Sequence, residues 1–255
     1  MSIVSFMPQG RAGNFLFECA AAWAYAKKHG LEFSVPKFTN SDFHCPIYLH
    51  HLQHPDYNPQ APRIVVKEQN FHYNEIPFEE SWTGQNILLY GYFQSYKYYQ
   101  EYREEMLDAF NLHWKLIPDT CSIHARYGDY LTIPGKHIIV DEPYLLSAME
   151  IIKAETGIVK FKIFSDDLNL FKQRHGHLYD FEYSTNTDIM ADLIDASCCH
   201  SNIGSSSTFS YWISELNRNP DKIKTTQKLW FQEGWSESGL PYNTDDLLDD
   251  KWIKL

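Results

Sequence analysis

The stretch Cys121-Ser-Ile-His-Ala-Arg-Tyr-Gly-Asp-Tyr130 holds the residues best suited to chemistry. It reads as a strand, Thr120 to Ala125, ending in a glycine-bearing turn that delivers His124, Arg126 and Asp129. In an open parallel sheet, ligands bind beyond the carboxyl ends of strands. A guanidinium is a permanent cation with a fixed fork of donors, which suits phosphate; an ion pair of Arg126 with Asp129 is the equal alternative. A second stretch, Gly204-Ser-Ser-Ser-Thr208, reads as a hydroxyl-rich helix start whose backbone N–H groups and dipole favour an anion. An ordinary cap by Ser206 or Ser207 is the simpler reading of it. The pair Asp166-Asp167 supplies too few oxygens for a hard cation. It suits hydrogen bonds from a nucleotide base, or helix capping.

These residues need a scaffold. Ile3 to Phe6 reads as a strand, Met7 to Asn14 as a turn, and Phe15 to His29 as an alanine-rich helix stopped by Gly30. Strands are expected at Leu31–Val35, Ile64–Lys67 and Ile87–Phe93, and an aromatic helix at Tyr96–Phe110. Pro118 marks the expected boundary between halves. Beyond it, strands at Thr120–Ala125, Val159–Ile163, Leu178–Tyr183 and His200–Ile203 alternate with helices at Glu142–Thr156, Asp188–Cys198 and Phe209–Leu216. Such alternation predicts an α/β fold with a doubly wound parallel sheet. Four polar loops, at Gly10–Asn14, Arg126–Tyr130, Ser165–Asp167 and Gly204–Thr208, are then expected at one cleft. The organisation expected is 1–117, 118–235 and a solvated acidic extension over 236–255.

The formal net charge of -11, from 22 basic and 33 acidic residues, speaks against a nucleic-acid partner. Only six arginines occur, so one in a loop stands out. Five cysteines, odd in number and without a Cys-x-x-Cys pair, fit reduced thiols and a cytoplasmic location. The apolar runs fall short of membrane-spanning length, which leaves room for peripheral membrane association only. His50-His51 and His175-Gly-His177 lack zinc partners and read as surface histidines, and no metal site is expected. Gly10-Arg-Ala-Gly13 is not a full dinucleotide fingerprint.

Five ordered motifs resemble those of the α-1,2-fucosyltransferases, glycosyltransferase family eleven. They are Gly10-Arg-Ala-Gly-Asn14, Gly91-Tyr-Phe-Gln-Ser-Tyr-Lys97, His124-Ala-Arg-Tyr-Gly-Asp-Tyr130, Phe164-Ser-Asp-Asp167 and Ser206-Ser-Thr-Phe-Ser-Tyr-Trp212. The resemblance implies a GT-B-like architecture of two Rossmann-like halves facing a central cleft. It implies inverting transfer of fucose from GDP-fucose to a galactose hydroxyl of a glycan, with no required cofactor or metal. Carried over, Arg126 grips the diphosphate and Ser206, Ser207, Thr208 and Phe209 present the phosphate-binding helix start. Asp166 or Asp167 reads the guanine edge, and Gly13 with Asn14 lies between donor and acceptor. For the general base, His124 and Asp129 are candidates by position. The sequence departs from the family where its second arginine is Tyr127, the glutamine after Asn14 is Phe15, and the asparagine before Ser-Thr-Phe is Ser206. Those departures leave a transferase of another nucleotide sugar, or a binding protein without turnover, as the alternatives.

Overall fold

A computed structural model describes residues 2–36, 47–133, 135–233, 235 and 242–255. Cys45, Pro134 and the 236–241 part of the expected extension lie outside the described residues. The chain divides into two compact units, Met1–Leu112 with Asn243–Asp249, and His113–Tyr242 with Asp250–Leu255.

The first unit opens with β1 (Ile3–Phe6), buried along its whole length, and α1 (Ala12–Lys28). Buried alanines nearly all round α1 let it sit deep in the unit. The helix begins earlier than the sequence indicates, so Gly13 and Asn14 lie in its first turn rather than in a loop. β2 (Glu32–Phe33), β3 (Arg63–Lys67) and β4 (Asn86–Tyr90) complete a parallel sheet in the order β2-β1-β4-β3. The expected aromatic helix is two short 3-10 turns followed by α2 (Arg103–Phe110).

The second unit is built on β5 (Ile117–Ala125), followed by α3 (Glu142–Thr156), β6 (Lys160–Ser165) and α4 (Leu168–His175). Then come β7 (Glu182–Tyr183), α5 (Ile189–Cys198), β8 (Cys199–Gly204), α6 (Thr208–Leu216), β9 (Lys224–Thr226) and β10 (Trp252–Lys254). All strand pairs are parallel, in the order β10-β9-β8-β5-β6-β7. α3 shows how local sequence sets these bounds. The Asp141 carboxylate accepts the Tyr144 N–H at 3.0 Å, and Gly157 ends the helix at φ 72°.

Both units therefore have the Rossmann-like α/β form that the sequence predicts. Two expectations need correction. Pro118 lies inside β5, beside the register shift against β8 between Ile117 and Cys121, and the units part at Leu112/His113. A proline has no N–H for the ladder, so it is tolerated at such an irregular strand start. The described part of the acidic tail is folded in, not solvated: Leu247 and Leu248 are buried, and Trp252–Lys254 forms an edge strand.

Candidate functional site

In the second sheet the chain runs outward from β5 to β6 and β7, then returns to place β8 on the other side of β5. The switch point lies between β5 and β8, where open α/β sheets form their binding crevice. Register places His124 beside both Gly204 and Phe164, and Ala125 beside Ser165. The three loops singled out in this half thus leave neighbouring strands at one edge.

Arg126 follows β5, and its side chain is only 12% exposed. Its Nε and one terminal nitrogen donate to Asp129 Oδ1 at 3.2 and 2.6 Å, and its other terminal nitrogen meets Asp166 Oδ2 at 2.9 Å. The Tyr127 N–H donates to Asp166 Oδ1 at 2.9 Å. Asp166 is thereby fixed by a cation and a backbone donor, while Asp129 is the more exposed partner. Gly128 permits this packing, since a Cβ there would lie 2.3 Å from Asp166 Oδ2. The Arg126 guanidinium also lies 5.7 Å from the Tyr130 ring centre.

Tyr130 joins Arg126 to the second loop. Its hydroxyl donates to the Ser206 carbonyl at 3.0 Å and receives a hydrogen bond from Ser207. Burial pushes this phenol up to about 12, so it stays neutral. His137 stacks on the same ring at 3.7 Å. Ser207 is the cap of α6, and its hydroxyl accepts the Phe209 N–H at 3.3 Å. The loop before it is braced: the Ser206 N–H donates to Gln227 Oε1 at 3.2 Å, and the Ser207 N–H to the Ser205 carbonyl at 2.7 Å. The simpler reading of this segment, a cap by Ser207, is what the structure shows. The Phe209 N–H is also taken, by the Ser207 cap, so what the helix start offers an anion is chiefly the dipole of α6.

His124 is 5% exposed, and its Nδ1 lies 2.6 Å from Ser210 Oγ. Ser210 Oγ in turn accepts the Ser205 N–H at 3.1 Å. Burial first, then the Arg126 charge, lower the His124 pKa to about 3. A neutral imidazole accepting the Ser210 proton at Nδ1 fits both facts. His124 thus positions the Ser205–Ser210 segment, and its low basicity argues against the base role. Asp167 caps α4 by accepting the Leu170 N–H at 2.9 Å, so the simpler alternative holds for it. Tyr127 is fully buried in the core beneath Arg174, whose guanidinium lies 5.8 Å from its ring. The position where the family motif has a second arginine is here a packing position. His175, expected at the surface, is buried against Phe171.

Gly13 and Asn14 belong to the first unit, at the carboxyl edge of its own sheet. The Gln94 side chain donates to Asn14 Oδ1 at 3.0 Å. Gly10, at φ 66°, leaves room for the amide: a Cβ there would sit 2.2 Å from Asn14 Nδ2. Glu18, wholly buried one turn along α1, accepts the Gln9 N–H on both oxygens at 3.1 Å, and burial raises its pKa. Glu68 accepts the Tyr92 and Phe93 N–H groups, and burial pushes it up to about 7. Sequence reasoning missed Ser210, Gln227 and Glu68. A serine five residues after Ser205 was the only local signal for the first, and nothing local marked the other two.

The family model for glycosyl transferase family 11 matches residues 114–238, the whole of the Arg126 and Ser207 region. The match makes the second unit similar to that family. It is 26% identical to the Escherichia coli O-antigen biosynthesis glycosyltransferase WbnK, over 66% of this chain and 60% of that protein. It is 30% identical to the Bos taurus galactoside 2-alpha-L-fucosyltransferase SEC1, over 63% of this chain but 48% of that protein. The chain thus spans about half of the bovine relative. An alpha-1,2-colitosyltransferase of Escherichia coli is 21% identical over 100% of this chain and 99% of its own length. Among solved structures, POFUT1 in complex with GDP-fucose is similar over 87% of this chain and 97% of that one, at 11% identity and a TM-score of 0.48.

Proposed function

We propose that this chain is an inverting glycosyltransferase that moves L-fucose from GDP-fucose to a galactose hydroxyl of a glycan. The observation that carries the reading is Tyr130, which links the Arg126 guanidinium to the Ser207 cap at the switch point of the second sheet. A diphosphate placed there meets a cation on one side and a helix start on the other. As it stands, Arg126 with Asp129 and Asp166 carries a net charge of -1, from one cation and two carboxylates. The diphosphate therefore takes the guanidinium edge now held by Asp129, the more exposed acid, while Asp166 keeps the other edge.

The acceptor hydroxyl attacks the anomeric carbon as the nucleoside diphosphate departs, and stabilising the departing charge is the main task of the site. Asn14, held by Gln94 and Gly10, serves the transfer from the first unit. No metal or cofactor is part of this reading. The acceptor is a galactose-containing glycan, and nucleic acid is not a partner. A cytoplasmic location is supported by the described cysteines, Cys19, Cys121, Cys198 and Cys199, all buried and free.

A second donor is favoured by one specific observation. The colitosyltransferase is matched along nearly all of its length, unlike the bovine fucosyltransferase. The test is a mass-spectrometric transfer assay across nucleotide sugars, GDP-fucose and GDP-colitose included, with simple galactosides. Product with GDP-fucose supports the reading, product with another donor alone moves it to that sugar, and nucleotide binding without product leaves a binding protein.

A further inference from the structure

The carboxyl edge of the first sheet contains a built turn that the family match over 114–238 does not reach. β4 ends at Tyr90, and the chain then enters Gly91 at φ 156° and Phe93 at φ 49°. A left-handed phenylalanine is strained and persists only where its surroundings impose it. Here they are specific. Glu68 Oε2 accepts the Tyr92 N–H at 2.7 Å, and Glu68 Oε1 accepts the Phe93 N–H at 2.9 Å. The Glu68 N–H itself donates to the Tyr90 carbonyl at 2.9 Å, which ties the carboxylate to the end of β4.

Gly91 is what lets this carboxylate in, because a Cβ there would stand 2.2 Å from Glu68 Cβ and 2.7 Å from Oε2. The far end of the turn is also held. The Ser95 N–H donates to the Phe93 carbonyl at 2.8 Å, and the Ser95 hydroxyl to the Asp246 carbonyl at 2.7 Å. Between these two anchors sits Gln94, whose amide donates to Asn14. Phe93 is buried with its ring edge-on to Tyr98, so the turn has no slack on its inner side.

We propose that Glu68 is a positioning residue for the transfer reaction: its carboxylate locks the Gly91–Ser95 turn so that Gln94 fixes the Asn14 amide for the sugar acceptor. This rests on the reading of Asn14 under the proposed function. Glu68 acts through the turn and does not touch the reacting atoms. The acceptor class is a neutral polyhydroxyl, whose hydroxyls need oriented amides rather than a cation.

The test uses the full chain in two arms. In hydrogen exchange, Glu68→Ala and Gly91→Ala should each speed exchange of the Tyr92 and Phe93 amides about tenfold or more, with the second unit unchanged. In kinetics with GDP-fucose and lactose, both variants should raise the lactose KM or lower kcat at least fivefold while leaving GDP affinity unchanged. Glu68→Gln, which keeps one acceptor oxygen, should restore part of the loss. Unchanged exchange, or an equal loss of GDP affinity, would overturn the proposal. A wild-type chain without transfer sinks the functional reading instead, and the exchange arm then decides the latch alone.

Discussion

Both sheets are parallel, in different strand orders, and their carboxyl edges are furnished with different chemistry. At the edge of the second unit a guanidinium is held between two carboxylates, beside a capped helix start and a neutral phenol. At the edge of the first unit the described ligands are amides, backbone N–H groups and two buried carboxylates, Glu18 and Glu68. Under the proposed function the departing diphosphate is assigned to the Arg126 edge and the neutral sugar acceptor to the Asn14 edge. In parallel sheets the carboxyl edge is where ligands bind, and the side chains placed there set the chemistry on offer.

The comparison breaks most sharply at Arg126. Removing one donor to developing charge costs on the order of a hundredfold in rate, so Arg126→Ala should lower kcat by at least that factor. Arg126→Lys should not restore it, because an ammonium lacks the fork. Transfer near the wild-type rate in either variant would remove Arg126 from the mechanism.

The opposite edge should respond differently. Asn14→Ala should lower turnover about tenfold or more, which equals ~1.4 kcal/mol, with GDP affinity unchanged by calorimetry. A matching fall in GDP affinity would place Asn14 on the donor instead.

Protonation sharpens the contrast, since His124 titrates at about 3 against an ordinary value of 6.5. A lowered folded-state value means that its contribution is present above pH 6.5 and is lost as pH falls from there toward 3. The loss is about 1.4 kcal/mol per pH unit for one such group. Urea unfolding at pH 7 and pH 5.5 should show a smaller acid loss in His124→Gln than in the wild type. Equal losses would mean that His124 takes up its proton as readily in the folded chain as in the unfolded one.

The smallest effect is expected at Asp129. If its part is to hold the Arg126 edge until a diphosphate arrives, Asp129→Asn should tighten GDP slightly and reduce kcat less than about tenfold, below the ~10²–10⁴ range of a lost acid–base group. A larger fall in kcat would restore Asp129 as the general base.

Much of this was legible in the chain. The period-2 stretch through Phe161 and Ile163, the Asp141 cap and the Gly157 stop gave β6 and α3 nearly to the residue, because each signal is local. Arg126 and Ser207 were legible as a pair, since parallel strands must deliver their loops to one edge. What escaped notice depends on partners far along the chain. Asp166 reads equally well as a base ligand until Arg126 closes on it, and Tyr127 reads as a lost cation until the core surrounds it. Glu68 lies 24 and 25 residues from the N–H groups it accepts, and no local pattern encodes that pairing. The tail misled for a related reason. Its aspartates suggest solvation, yet Asp246 accepts the Tyr73 N–H and its carbonyl the Ser95 hydroxyl.

The most direct measurement is calorimetric titration of GDP into the wild type, Arg126→Ala and Asn14→Ala. The account predicts binding to the wild type, an unchanged affinity for Asn14→Ala, and a loss of at least about tenfold, ~1.4 kcal/mol, for Arg126→Ala. Equal GDP affinity in the wild type and Arg126→Ala would contradict it.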